Sequence, residues 1–185
     1  GGVKVDNIRE IKEAGADIVK FQLGHWKPAC KYDPTVKQWM RYMPNEWVHR
    51  LKVFCDYWDI EFMASIFSSR GLELAKSAKM KRYKLAGRQA FEGHSREDYG
   101  VFSELLLSEG KEVFATGRTH SWRTNIRPIF AVSNYPTYPD EIRIPSNFNG
   151  DARTSCWYGY SSHVHGIEDA LVAIARGAQY IEKHV

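Results

Sequence analysis

YGYSSHVHGIEDALVAIARGAQYIEKHV, residues 158–185, decides the fold. Together with Trp157 it opens on a strand-like piece, WYGYSSH, and it closes on a second, QYIEKHV. Between them GIEDALVAIARGA has helical spacing. A strand–helix–strand unit of this kind pairs its strands in parallel and brings their carboxyl ends to one face of a sheet or barrel. Each strand ends on a histidine, His163 and His184. One histidine at a strand end is more often a structural or solvated group. Two at matching ends favour a shared divalent metal ion with positions left open for substrate.

Working outward, the same alternation recurs. DNIREIKEA (6–14) is amphipathic, Gly15 stops it, and ADIVKFQ follows as a strand. The stretch from Leu23 to Asn45, with Pro28, Pro34, Pro44 and several aromatics, reads as a long loop that packs as a lid or interface. Further helices are expected over Glu46–Trp58, Gly71–Ser77 and Tyr99–Ser108, and Pro- and Asn-rich chain connects Asn134 to Ser155. Strands are expected to begin near Asp17, Glu61, Arg82, Glu112, Pro128, Trp157 and Gln179. Seven strands separated mostly by helices predict an α/β fold, a TIM-type (β/α)₈ barrel in a single domain, residues 1–185. Because the chain opens on a helix, the first strand of the eight is the one expected to be missing. A doubly wound open sheet competes, but no GxGxxG or P-loop favours it.

Composition narrows the function classes. Hydrophobic residues make up 43% and charged residues 26%, ordinary for a globular protein. The net charge of +4 comes without a basic run, so no nucleic-acid partner is expected, and no apolar run is long enough to cross a membrane. Three separated cysteines with no CxxC, and no signal-peptide pattern, give a cytoplasmic expectation.

The polar residues gather at strand ends: Lys20 and Gln22, Ser65, Lys84, Thr116, Ser133, Ser161 and His163, then Glu182 and His184. Lysines, hydroxyls and imidazoles at one barrel mouth describe a site for an anionic, phosphorylated ligand and a divalent metal. The segments that carry these residues occur in order as AGADIVKFQ, FMASIF, YKLAG, FATG, NYPTYP, GYSSHVHGIEDALVAIARGA and IEKHV. Together they resemble the sialic acid synthase family, the phosphoenolpyruvate-dependent nonulosonate synthases, over almost the whole chain.

The resemblance implies a condensation of phosphoenolpyruvate with the open-chain aldehyde of an N-acylhexosamine such as N-acetylmannosamine, releasing phosphate and assisted by Mn²⁺ or Mg²⁺. By position, His163 and His184 match the family's metal ligands. Lys20, Ser65, Lys84 and Ser161 match its phosphoenolpyruvate contacts, and Gln22, Tyr135 and Glu182 match positions near the sugar. Lys20, Gln22, Lys84 and Glu182 are the catalytic candidates; Ser65, Thr116, Ser133, Tyr135 and Ser161 are the substrate-binding ones. The resemblance also implies a homodimer.

Departures from the pattern are equally specific. Gly87 and Arg88 stand in place of a serine–glycine pair, Ala115 in place of a serine, and Ser162 in place of an aspartate beside His163. The family's first strand and its C-terminal antifreeze-like domain are expected to be lacking. Two other readings therefore accompany the synthase: a catalytically impaired sugar-phosphate-binding relative, and a Schiff-base aldolase or lyase using Lys20 or Lys84.

Overall fold

Helix α1 (Val5–Glu13) buries Ile8 and turns Arg9, Glu10 and Glu13 to solvent, as the amphipathic spacing requires. The computed structural model describes residues 5–23, 45–66, 69–85, 110–116, 126–132, 134, 137–149 and 157–184. The expected helix over Tyr99–Ser108 and most of the long loop after Leu23 lie outside these residues. Two compact units divide the chain, residues 1–84 and 85–185.

The first unit continues with β1 (Ile18–Leu23), α2 (Asn45–Tyr57), β2 (Glu61–Ile66), α3 (Ser69–Ser77) and β3 (Arg82–Leu85), whose last residue opens the second unit. The second holds β4 (Glu112–Thr116), β5 (Ile126–Ala131), β6 (Gly159–Ser162), α4 (Glu168–Ala175) and β7 (Tyr180–Lys183). The strands are hydrogen-bonded in chain order, as in a TIM-type barrel. Among the described residues the outcome departs from expectation at element edges. β1 runs on through Leu23, and β5 starts at Ile126, so Pro128 lies inside a strand. Pairing of β5 with β6 begins only at Ile129↔Gly159, so the missing Pro128 N–H falls before that ladder.

One turn design returns each described helix to a strand. After α1, Gly15 takes φ +90°, its N–H bonds Lys12 O, and Ala16 N–H reaches back to Ile11 O. Asp59 and Ile60 repeat this after α2, Lys79 and Met80 after α3, and Gly177 and Ala178 after α4. These paired bonds satisfy the carbonyls left open at a helix end.

Strand alternation gives each unit two distinct faces. In the first, Val19, Phe21, Leu23, Phe62, Ala64, Ile66 and Tyr83 are all buried on one face, toward the helices. Gly71 marks how closely α3 approaches: a Cβ there would lie 2.4 Å from the Leu23 carbonyl oxygen. In the second unit, Tyr160 packs with Phe148 and Ala173, and Phe130 stacks on Tyr160, with ring centroids 5.9 Å apart. Phe148 is laced to the end of α4: its N–H donates to Arg176 O, and Arg176 Nη1 donates to the carbonyls of Ile144 and Pro145. On the opposite face of this unit, Phe114 of β4 stacks on Tyr180 of β7 with centroids 4.3 Å apart. Three strand spacings of about 4.8 Å would hold them far apart in a flat sheet. The β4–β7 sheet is therefore strongly curled, with Phe114 and Tyr180 on its concave face.

Candidate functional site

In the first unit the face opposite the helices carries Ile18, Lys20 and Gln22 from β1, and Glu61, Met63 and Ser65 from β2. The parallel register sets Lys20 beside Met63 and Gln22 beside Ser65. Lys20 Nζ donates to Ser65 Oγ at 3.2 Å. Arg82 pairs with Glu61 at 2.7 Å, which places Arg82 on this face and, two residues on, Lys84 as well. Lys84 is buried, as is Ser65, whereas Gln22 is exposed. A cluster of ammonium and hydroxyl donors at the carboxyl ends of these strands matches the needs of a carboxylate or phosphate ligand.

In the second unit the concave face carries Phe114 and Thr116, Ile129 and Ala131, Gly159 and Ser161, Tyr180 and Glu182. Ser161 pairs in register with Glu182. Ser161 Oγ donates to Glu182 Oε1 at 2.8 Å and Tyr180 Oη donates to Oε2 at 3.2 Å, so each carboxylate oxygen has its own donor. Continued alternation brings His163 and His184 to the same face. Their ring centroids lie 4.6 Å apart, nearly perpendicular. His163 Nδ1 lies 2.5 Å from the Val132 carbonyl, so Nδ1 carries a hydrogen, and in the neutral ring the lone pair is then on Nε2. His184 Nε2 faces Glu182 Oε1 at 3.8 Å. Among the described residues no group of three or more His, Cys, Asp or Glu forms a ready metal cage. Two imidazoles with an oriented tautomer nevertheless suit a divalent ion whose other positions are filled by ligand or water oxygens.

Thr116 ends β4 on the same face, half-buried. Ser133 and Tyr135 lie outside the described residues, as do Gly87 and Arg88. Two departures from the family pattern take on a different meaning. Ala115 is fully buried and faces the side opposite Thr116, so its missing hydroxyl is not on the ligand-bearing face. Ser162 also faces away from the histidines, toward α4.

There Ser162 joins a polar group that the sequence reading did not anticipate. Ser162 Oγ and Tyr160 Oη both donate to Asp169 Oδ2, at 2.6 and 2.8 Å. Lys183 Nζ donates to Ser162 Oγ at 2.7 Å and to the Val164 carbonyl, and lies 3.7 Å from Asp169 Oδ1. Burial alone would raise the Asp169 carboxyl, but the Ser162 and Tyr160 hydroxyls and the Lys183 charge outweigh it, leaving the pKa below its ordinary value. Burial, then the Asp169 hydrogen bond and charge, push the Tyr160 phenol above its usual value. Sequence did hold a signal: alternation in IEKH turns Lys183 to the helix side, where it needs a carboxylate, and Asp169 sits in the adjoining first turn.

A family model described as the NeuB family matches residues 7–185. The pseudaminic acid synthase of Helicobacter pylori is 26% identical over 210 residues, covering 97% of this chain and 59% of that protein. The spore coat polysaccharide biosynthesis protein SpsE of Bacillus subtilis is 23% identical over 205 residues, covering 96% and 53%. Among solved structures, the N-acetylneuraminic acid synthetase of Leptospira borgpetersenii superposes with a TM-score of 0.79 at 22% identity, covering 97% of this chain and 66% of that one. The chain thus spans little more than half the length of the curated relatives it matches. It belongs to the NeuB family, and its fold is that of the family's barrels.

Proposed function

We propose that this member of the NeuB family is a phosphoenolpyruvate-dependent synthase, joining the three-carbon enol to the aldehyde of an N-acylhexosamine and releasing phosphate. The observation that carries this reading is the His163–His184 pair, 4.6 Å apart at the ends of adjacent parallel strands in a chain of this family. The names of the relatives, synthases of pseudaminic and N-acetylneuraminic acid, support a nonulosonic acid as product.

Each residue has a role its surroundings permit. Lys20 and Lys84 neutralise the carboxylate and phosphate of phosphoenolpyruvate, Ser65 and Thr116 donate to their oxygens, and Ser161 would do so by turning its one hydroxyl proton from Glu182 to the ligand. By the family resemblance, Gln22, Tyr135 and Glu182 are assigned to the sugar and Ser133 to substrate binding. His163, through Nε2, and His184 would hold Mn²⁺ or Mg²⁺. Such an ion, when bound, supplies Lewis-acid polarisation of an aldehyde oxygen. Glu182, held by Ser161 and Tyr180, sets a carboxyl group 3.8 Å from His184 Nε2. A single cytoplasmic domain over residues 1–185, working as a homodimer, belongs to the same reading.

The test is release of inorganic phosphate from phosphoenolpyruvate with N-acetylmannosamine and Mn²⁺, in the full-length protein. Phosphate release that requires the sugar is the expected result. Binding of both substrates without phosphate release would leave a binding protein rather than a synthase. A borohydride-trapped adduct on Lys20 or Lys84 would replace the condensation with Schiff-base chemistry.

A further inference from the structure

We propose that Asp169 and Lys183 are positioning residues for the His163–His184 pair, acting from the opposite face of the sheet. The inference rests on reading that pair as ligand-bearing. Its basis is where the cross-links fall. Ser162 and Val164 flank His163, and Lys183 immediately precedes His184. The Lys183 ammonium bonds both the Ser162 hydroxyl and the Val164 carbonyl. Chain on each side of the first histidine is thereby tied to the residue next to the second. Asp169 clamps the assembly to the first turn of α4 through Ser162 and Tyr160.

Charge explains why the clamp needs both partners. The surrounding face is apolar, built from Tyr160, Phe130, Phe148, Ala173 and Ile181. The Asp169 side chain is only 9% exposed and Lys183 only 27%. An ammonium here without its carboxylate is driven toward water, and moving it releases Ser162 and Val164 together. The ends of β6 and β7 then shift relative to each other, and the two imidazoles with them. Lost orientation of metal-binding histidines lowers metal affinity even though no ligand has been removed.

Two variants of the full-length protein separate positioning from stability. Asp169→Asn keeps the shape and an acceptor for both hydroxyls but removes the charge. The double variant Asp169→Leu/Lys183→Met replaces the pair by apolar groups, which avoids an uncompensated buried charge but leaves the buried Ser162 and Tyr160 hydroxyls without their acceptor, so its thermal midpoint is measured alongside. Mn²⁺ affinity is measured by calorimetry, and the hydrogen-bonded ring N–H of His163 is followed by NMR. The expected result is a Kd for Mn²⁺ raised about tenfold or more in both variants, with the ring N–H resonance shifted or lost and both variants still folded at the temperature of measurement. Wild-type Kd and an unmoved resonance in a folded variant would overturn the proposal. Should the wild-type protein itself bind no Mn²⁺, the metal reading fails on its own. The ring N–H then decides positioning alone: unchanged in both variants it refutes the clamp, displaced it upholds it.

Discussion

The helix-facing sides of the two units differ in kind. In the first unit that side carries no charge, from Val19 on β1 to Tyr83 on β3. In the second it mixes Phe130, Tyr160 and Ile181 with Ser162, Lys183 and Asp169. The sides away from the helices are alike at their two ends: an ion pair near the strand starts, Glu61–Arg82 in one unit and Glu112–Arg127 in the other, and polar residues at the strand ends; between them the first unit sets Lys20 beside Met63, whereas the second sets Ile129 beside Gly159. Polarity alone therefore does not separate chemistry from support. In the first unit a buried polar residue on a strand is a ligand candidate, whereas in the second the face it points to must be known first.

The largest expected effect tests the curl of the second unit. Phe114→Ala removes one partner of the Phe114–Tyr180 stack and should cost about 3–5 kcal/mol in urea unfolding. A loss below about 1 kcal/mol would mean that the concave face is not packed as described. Next, the two serines should part company. Ser162→Ala leaves Lys183 and Asp169 short of a partner and should destabilise by about 1–3 kcal/mol. Ser65→Ala should instead weaken phosphoenolpyruvate binding by more than it lowers the melting temperature. Equal behaviour of the two would erase the contrast between units.

A smaller effect concerns pH. The folded pKa of Asp169 lies below its ordinary value, so at acid pH the unfolded chain binds more protons. Its contribution is present above about pH 3.9, the usual aspartate value, and is lost as pH falls through the folded pKa. Melting curves of Asp169→Asn should accordingly lose less stability than wild type on going from pH 5 to pH 3; parallel loss would remove the charge from the account. The smallest effect is chemical. Burial, aided by Asp56, pushes the Cys55 thiol up to about 12, so peptide mapping after treatment with a thiol reagent should find Cys55 unlabelled in the folded protein.

Much of this was legible in the chain. Gly15 announces the turn after α1, and the histidines and lysines at strand ends follow from period-two alternation. The same turn after α2 and α3 is made by Asp59 and Lys79, which carry no such signature because hydrogen bonding back to Asp56 and Lys76, rather than residue type, holds them at positive φ. Pro128 reads as a strand start, and only the late beginning of β6 lets it stand inside one. For the Asp169–Lys183 clamp, alternation gives the side to which Lys183 turns, but the meeting of residues 14 apart depends on how α4 folds back.

The opposite orientations of Ser162 and His163 also govern how β6 can change length. Removing one residue ahead of this pair would rotate the imidazole into the packing beneath α4 and swing a hydroxyl outward in its place. Removing two would restore the order of sides while shortening the strand. Insertions and deletions in β6 should therefore be admitted only in even numbers.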